Sequence, residues 1–373
     1  MITYIEKLLN GQPVEWKTLG EVAEVEKGKQ LNKELLTSEG LYPAYNGGVS
    51  YSGFTDRYSH TANTTIISQG GASAGFVNFV ETCFYANAHC YVVLPNEELV
   101  HRRFVYHILK RQQPQLMGKQ FGAGIPALKA RDLLNLPIPV PPLSVQEEIV
   151  HILDKFTELE AELEAELDAR KQQYEYYRNS LLSFANDREG GGKIVYKTLG
   201  EVAEYEQPSK YIVKSDIYKD GYRTPVLTPG KTFILGYTDD LNGIYPATQS
   251  SVILFDDFTS AFKWVDFDFK VKSSAVKMIT AVDERQVMLR YIYYWMQTTP
   301  ATLVDGDHKR QWISSFSKKR IPIPSLAEQA RIVNILDKFD ALTNSLTEGL
   351  PQEIELRRKQ YEYYREQLLS FPA

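Results

Sequence analysis

The chain has 373 residues, of which 43% are hydrophobic and 12% aromatic, and its formal net charge is −5. That length exceeds one ordinary domain, so two domains with connecting elements are expected. No run approaches 18 consecutive apolar residues, and the first residues lack the basic start and apolar core of a secretory signal. Two cysteines, Cys83 and Cys90, favour a cytoplasmic location and exclude a disulfide framework.

Three sequence blocks occur twice. They are KTLGEVAE at 17–24 and 197–204, ILDKF at 152–156 and 335–339, and QYEYYR at 173–178 and 360–365. The intervening stretches, the first body (25–135) and the second body (205–320), share almost no alignable sequence. This pattern predicts an internal pseudo-two-fold repeat in which like connectors meet like partners and unlike bodies meet different targets.

Charge differs between the bodies and the connectors. Residues 1–136 carry 13 Lys and Arg against 12 Asp and Glu, and residues 193–320 carry 18 against 15. Residues 137–192 carry 5 against 12, and residues 321–373 carry 6 against 8. Because duplex DNA is a polyanion, a DNA partner would be expected at the weakly basic bodies.

Each connector is predicted to be a long helix that follows a proline-rich segment, 137–142 or 321–324. The predicted starts are capping boxes, Ser144 with Glu147 and Ser325 with Glu328. Apolar residues then recur every three or four positions over 149–184 and 332–371, which is typical of a coiled-coil seam. At ~1.5 Å per residue the first helix would span roughly 50 Å.

The two seams predict an antiparallel helix pair, although each seam could instead cover only its own body. The exposed faces of the same helices could also bind a partner. The candidate seam and docking residues are Phe156, Leu163, Tyr174, Tyr177, Phe339, Leu346, Tyr361 and Tyr364. The second helix is four residues longer between its phenylalanine and its first tyrosine, and Gly349-Leu-Pro351 predicts a break there.

The bodies are predicted to be mixed, strand-rich α/β domains. Strands are predicted at 64–68, 76–80, 90–94, 251–255 and 262–271, and helices at 102–111 and 284–297. The predicted domains are 1–140 and 190–322, joined by connector helices at 141–189 and 323–373.

No catalytic constellation is evident. The sequence FGAG at 121–124 resembles a cofactor turn of S-adenosylmethionine-dependent methyltransferases, but flanking Gly118 and Pro126 favour a surface loop. Cys83, His89 and Cys90 could supply three metal ligands, although buried cysteines are the simpler interpretation. A phosphate-binding loop and a catalytic triad pattern are both absent from the sequence.

Polar and basic loops are the better functional candidates, because Lys and Arg contact phosphates and Gln or Arg can read base edges. Two of them, 117–129 and 307–312, each precede a proline-rich segment. The candidate DNA-binding residues are Lys29, Gln30, Lys119, Gln120, Lys129, Lys210, Lys231, Lys263, His308, Lys309, Arg310 and Gln311. For any single one, a solvated surface side chain is the alternative.

Taken together, the repeated blocks, the P-I-P segments and the glutamines Gln146 and Gln329 resemble the specificity subunit of Type I restriction–modification systems. The resemblance covers nearly the whole chain. It implies two target recognition domains that each read one half of a bipartite, asymmetric DNA site. It also implies two antiparallel helices that set the spacer between the half-sites.

The same resemblance implies a non-catalytic subunit without its own cofactor. Two adenine-N6 methyltransferase subunits would dock on the helices, and two restriction subunits would join them; S-adenosylmethionine, ATP and Mg would be bound by those partners. The alternative, suited to the acidic composition, is a scaffold that joins two protein partners through a coiled-coil spacer.

Overall fold

The computed structural model describes residues 4–119, 126–184, 194–230, 232–299, 310–345 and 348–372. The chain divides into two compact units. The first comprises Met1–Ala165 together with Glu353–Ala373, and the second comprises Glu166–Gln352. Each unit therefore contains one body and a part of both connectors.

The first unit begins with the first body and continues into the first connector. Its elements in chain order are α1 (Tyr4–Leu9), β1 (Glu15–Thr18), α2 (Leu19–Val22), β2 (Ala23–Lys27), β3 (Tyr42–Tyr45), β4 (Gly53–Thr55), β5 (Thr64–Ser68), β6 (Val77–Val80), β7 (Tyr85–Ala86), β8 (Cys90–Pro95), α3 (Arg102–Gly118), α4 (Ala130–Leu134), β9 (Pro137–Val140) and α5 (Leu143–Leu181). The part of α5 from residue 166 onwards belongs to the second unit.

The second unit contains the second body and the start of the second connector. Its further elements are β10 (Val195–Thr198), α6 (Leu199–Val202), β11 (Ala203–Glu206), β12 (Thr224–Leu227), β13 (Ile234–Thr238), β14 (Val252–Asp256), β15 (Phe262–Val265), β16 (Lys270–Val271), β17 (Val276–Ala281), α7 (Leu289–Gln297), α8 (Gln311–Ser314), β18 (Arg320–Ile323), α9 (Leu326–Asn344) and α10 (Gly349–Leu368). From residue 353 onwards, α10 belongs to the first unit.

The two bodies have the same strand order despite their different sequences. In the first unit, four antiparallel strands follow the order β2-β8-β5-β6. Three further strands follow the order β4-β3-β7, in which β3 and β7 are parallel. The second unit repeats both orders as β11-β17-β14-β15 and β13-β12-β16. The predicted mixed, strand-rich fold with an internal repeat is confirmed.

Most predicted elements are present with shifted ends. Four of the predicted strands correspond to β5, β6, β8 and β14 within one residue at each end. The predicted strand at 262–271 is wrong in extent, because β15 and β16 join different sheets. Helix α3 continues beyond the predicted end through Pro114, and α7 begins only at Leu289, after the extended residue Met288.

The repeated KTLGEVAE block folds identically in both units. Strand β1 pairs antiparallel with β9, and β10 pairs antiparallel with β18. The Thr18 backbone N–H and hydroxyl donate to the Glu21 carboxylate at 2.6 and 2.7 Å, and Thr198 donates to Glu201 at the same distances. These hydrogen bonds lower the pKa of Glu21 and of Glu201. The threonine and glutamate of the block therefore form the same capping box at the start of a short helix in both units.

The first connector helix does not start as predicted. It begins at Leu143, and the Pro142 carbonyl accepts hydrogen bonds from Val145 N at 2.9 Å and Gln146 N at 3.1 Å. Ser144 therefore lies inside the first turn, because proline has a fixed φ suited to a helix start. In the second connector, Ser325 is the N-cap as predicted and accepts from Glu328 N.

The second connector is two helices, as the Gly349 motif predicted. Helix α9 ends at Asn344 and α10 begins at Gly349. Gly349 has a φ of 77°, and a Cβ there would lie 2.4 Å from the Ala341 carbonyl oxygen. Only glycine fits both constraints, so this residue fixes the position of the break.

Within the first unit, α5 and α10 form an antiparallel pair. Arg358 donates to both Glu160 and Glu164, while the Tyr364 ring stacks on Phe156 with centroids 5.3 Å apart. The contacting residues run from 358 to 364 along α10, while their partners on α5 run from 164 down to 156. The two helices therefore point in opposite directions.

The helices also complete the core of their own unit. In the first unit, Ile149 and Leu153 of α5 are buried with Leu368 and Leu369 of the C-terminal segment. The Trp16 indole N–H donates to the Pro372 carbonyl at 3.2 Å. Within this unit, α5 therefore both pairs with α10 and packs on the hydrophobic core of the body. No described helix has the length and apolar composition needed to cross a membrane.

Candidate nucleic-acid interface

Loops of the first body converge on the turn between β7 and β8. Gly28 N donates to Cys90 O at 2.9 Å, and Lys29 N donates to Ala86 O at 3.0 Å. A Cβ on Gly28 would lie 2.2 Å from the Asn87 carbonyl oxygen, so glycine permits this close approach. Lys29 is thereby held at the turn with its side chain exposed.

The glycine-rich loop and the base of the 117–129 loop meet the same turn. Gln69 N donates to His89 O at 2.8 Å, and Leu128 N donates to Gln69 O at 2.8 Å. Gly71 N donates to Pro126 O at 2.9 Å. These bonds fix the bases of three loops, so the polar side chains on them can be presented without a large ordering cost.

Exposed polar side chains surround this fixed turn. Lys29, Gln30, His89 and Lys129 are all exposed, whereas Asn87 is buried and its Oδ1 accepts from Leu31 N at 3.0 Å. Lysines can contact phosphates, and histidine or glutamine can hydrogen-bond base edges. The sequence suggests His89 only as a metal ligand, and no local pattern places it beside Lys29.

Asp257 anchors the corresponding loop of the second body. This residue is fully buried, and its Oδ1 accepts from Trp312 N at 2.9 Å. Lys277 Nζ lies 3.2 Å from Asp257 Oδ2, and Arg310 Nη1 lies 3.7 Å from the same oxygen. Gln311 N donates to Asp257 O at 2.8 Å. Residues 310–312 are thus held to the body at a buried, neutralised carboxylate.

The two bodies use matched backbone bonds to carry different side chains. Gln69 N donates to His89 O in the first body, and Asp257 N donates to Ala275 O at 2.9 Å in the second. Leu128 N donates to Gln69 O in the first body, and Gln311 N donates to Asp257 O in the second, so this pair of hydrogen bonds also matches. One scaffold therefore presents histidine at one position in the first body and alanine at the equivalent position in the second.

The remaining predicted DNA-binding residues that the structure describes lie on different elements. Lys119 is exposed at the end of α3, Lys263 is exposed on β15, and Lys210 is exposed and paired with Glu206 at 3.3 Å. No hydrogen bond or ion pair among the described residues joins Lys210 or Lys263 to Arg310. Gln311 is only 4% exposed, so its side chain is not presented for base reading. Gln120, Lys231, His308 and Lys309 lie outside the described residues.

The metal and cofactor interpretations gain no support. Burial raises the pKa of the Cys90 thiol to about 11, which disfavours the thiolate that a metal would need. Among the described residues, no three His, Cys, Asp or Glu side chains are grouped to hold a metal ion. The FGAG sequence at 121–124 lies outside the described residues.

One buried glutamine attaches each body to its connector helix. Gln146 is fully buried; its side chain accepts from His101 N at 2.8 Å and donates to the carbonyls of Leu99 and Pro141. Gln329 makes the matching three bonds with Met288 N and the carbonyls of Gln286 and Pro324. These glutamines carried the family resemblance, and the structure gives them a role in joining body and helix.

An arginine–aspartate pair reinforces each of these junctions. Arg103 Nε lies 2.8 Å from Asp154 Oδ1, and buried His107 bonds to the same oxygen at 2.8 Å. Burial would raise the pKa of Asp154, but these two partners outweigh it and hold the pKa below its ordinary value. In the second unit Arg290 Nε lies 2.7 Å from Asp337 Oδ1.

The seam residues are also brought together within each unit. In the first, Phe156 contacts Tyr361 as well as Tyr364. In the second, Tyr174 and Tyr177 both pack on Phe339. Leu163 is half-buried, and Leu346 lies outside the described residues.

Comparison with known proteins identifies the family. Residues 13–169 and 192–356 match the model described as the Type I restriction modification DNA specificity domain. The chain therefore belongs to the Type I restriction–modification specificity family, which recognises DNA sequence, as its resemblance implied.

Two relatives show how far this similarity extends. A putative type I restriction enzyme specificity subunit of Haemophilus influenzae is 34% identical over 99% of this chain and 98% of its own length. The EcoR124I/EcoR124II specificity subunit of Escherichia coli is 55% identical, but over 52% of this chain and 48% of its own length.

A solved structure supports the fold. The S subunit of a type I restriction–modification system from M. genitalium aligns over 98% of both chains, with a TM-score of 0.70 and 20% sequence identity.

Proposed function

We propose that this chain is the non-catalytic specificity subunit of a Type I restriction–modification complex and that its two bodies read different halves of a bipartite, asymmetric DNA site. The observation that carries this proposal is the matched loop scaffold with unmatched side chains. His89 and Ala275 occupy equivalent positions on the same backbone bonds. Two DNA-binding domains built this way would dock on the duplex in the same way but prefer different bases.

The connectors set the spacer between the half-sites and bind two adenine-N6 methyltransferase subunits. Helix α5 is uninterrupted over 39 residues, which corresponds to ~58 Å at 1.5 Å per residue. The acidity of residues 137–192 would repel phosphate and keep this helix off the DNA. S-adenosylmethionine, ATP and Mg are assigned to the methyltransferase and restriction subunits.

The test is to co-express the chain with the methyltransferase subunit from its own source and to map N6-methyladenine across a host genome by single-molecule sequencing. The expected result is one split, asymmetric motif. If a purified complex of the two proteins leaves no methylated motif, the DNA-reading assignment is wrong and the scaffold alternative is favoured.

Two loop variants assign the bodies to half-sites. His89→Ala should relax one half-site, and Arg310→Ala should relax the opposite one, each by about 1–3 kcal/mol of discrimination. Lys7→Ala, an exposed change on α1 away from the loops, serves as a control that should leave the motif unchanged. Relaxation of the same half-site by both loop variants would contradict the assignment of one half to each body.

Helix length gives a separate test of the spacer. Adding one turn near residues 163–167 and another near 346–354 should lengthen the unread spacer and leave both half-sites intact. A change in the recognised bases would show that the helices do not act as the ruler.

A further inference from the structure

Four side chains of the second body form a charged cluster at the base of its loop, which we name the arginine cluster: Asp257, Phe258, Lys277 and Arg310. Lys277 Nζ lies 3.2 Å from Asp257 Oδ2, and both side chains are buried. Arg310 Nη1 lies 3.7 Å from the same oxygen, and its side chain is half exposed. Because one carboxylate faces two cations, one positive charge is left over, and Arg310 presents it at the surface.

The Arg310 guanidinium is held in place from two sides. Its Cζ lies 5.0 Å from the centroid of the Phe258 ring, which is itself 40% exposed, and Asp257 lies beside it. A planar guanidinium held against a ring and a fixed carboxylate loses little freedom on binding. Its side chain makes no hydrogen bond to any residue that the structure describes, so its donors are available to a ligand.

The first body has the same scaffold without this cluster. Ile67 faces Tyr91 between β5 and β8, just as Phe255 faces Lys277 between β14 and β17. This register and the matched loop bonds define the equivalent positions. The counterparts of Asp257, Phe258, Lys277 and Arg310 are Gln69, Gly70, Tyr91 and Ala127. No member of the cluster recurs, so it is specific to the second body.

Holding the loop does not require a buried charge. In the first body the Tyr91 hydroxyl donates to Leu128 O at 3.1 Å, which is a neutral bond to the equivalent loop. A buried ion pair generally stabilises a fold no more than apolar side chains of similar volume. Anchoring the loop therefore does not account for Asp257 and Lys277. What these charges add in the second body is a fixed position for the exposed arginine.

We propose that the arginine cluster positions Arg310 to read one guanine in the half-site of the second body. The guanidinium fork matches the N7 and O6 acceptors of guanine in the major groove. A phosphate can be contacted by a flexible lysine, whereas the bidentate contact with guanine needs a planar fork in a fixed orientation. The inference rests on the proposed function and names the base that this loop reads.

The test replaces single atoms of the DNA. The chain, purified with its methyltransferase subunit, methylates duplexes that carry its motif, in which each guanine in turn is replaced by 7-deazaguanine. This base pairs normally but lacks the N7 acceptor. At one position it should lower kcat/KM roughly tenfold. Arg310→Lys should lower kcat/KM on the normal duplex to a similar extent, and 7-deazaguanine at that position should then have no further effect.

Two further variants test the positioning role. Phe258→Leu should weaken the preference for guanine at that position alone. The double variant Asp257→Gln/Lys277→Tyr carries the neutral residues of the first body, so it should fold, as circular dichroism would show, and lose the same preference. Both should keep the order of preference at every other base pair. An unchanged preference for guanine in both variants would show that the cluster does not position Arg310.

Arg320→Lys is the matched control. Arg320 is exposed on β18, and its guanidinium lies over the Tyr196 ring at 5.7 Å, away from the loop. This variant should retain the full preference for guanine. If Arg310→Lys also retains it, or if 7-deazaguanine has no effect at any position, Arg310 contacts a phosphate and the proposal is wrong. Failure of the unaltered complex to methylate any motif would instead overturn the proposed function.

Discussion

The bodies and the connectors have diverged in opposite ways. The bodies keep one strand order while almost every side chain has changed, whereas the connectors keep their sequence blocks although one is a single helix and the other is broken at Gly349. Sequence identity persists where the same contact is made twice, and a fold can persist where only its pattern of burial and backbone pairing is retained.

The largest expected effect comes from the buried glutamine that joins each body to its connector helix, and it tests whether the two junctions are equivalent. Gln146→Ala should remove three buried hydrogen bonds, leave their partners unpaired and destabilise the first unit by about 4 kcal/mol. Gln329→Ala should have the same effect on the second unit. Calorimetric unfolding measures both, with exposed Gln30→Ala as a neutral control. A large difference between the two buried variants would show that the junctions are not equivalent.

A smaller effect sharpens the comparison, because the arginine clusters differ. Arg290 also bonds to Asp340 and the Tyr294 hydroxyl and lies over the Trp264 ring, so Arg290→Met should cost about 3 kcal/mol. Arg103→Met, with fewer partners, should cost about 2 kcal/mol. Chemical denaturation measures the difference.

Arg285→Met is the control for these variants. The Arg285 side chain is 91% exposed, and its pair with Asp283 should contribute nothing measurable. Equal costs for the Arg103 and Arg290 variants would contradict the expected ranking.

The smallest effect depends on pH and is confined to the first unit. Burial lowers the pKa of His107, so as the pH falls below the unfolded value of about 6.5 the unfolded chain binds a proton that the folded chain does not. Stability should therefore fall as pH falls, by at most about 1.4 kcal/mol per pH unit. The equivalent residue, Tyr294, stays neutral in this range because a phenol ordinarily titrates near pH 10, and burial raises its pKa further.

His107→Gln keeps a donor for Asp154 and removes the titration, so it should flatten the pH dependence of the melting temperature over this range. An unchanged slope would exclude His107 as its source.

Local patterns predicted the strand positions, the helix break and the connector helices, because burial periodicity and glycine geometry act over a few residues. They did not predict the common strand order, since pairing of β2 with β8 joins residues far apart in sequence. The T-x-x-E pattern at Thr18 is a local signal for the capping box found there, whereas the same kind of signal at Ser144 fails because Pro142 starts the helix earlier. The burial of Gln311 depends on Asp257, a long-range contact that composition does not encode.

The hydrogen bond from Trp16 to Pro372 has a consequence for biosynthesis. The first unit includes Leu368 and Leu369 in its core, so its apolar surface is covered only after these two residues have been synthesised. The second unit has its whole sequence, 166–352, earlier. Nascent chains released just before residue 353 would therefore carry a finished second unit and a first unit with an open core, which chaperones and proteases would recognise.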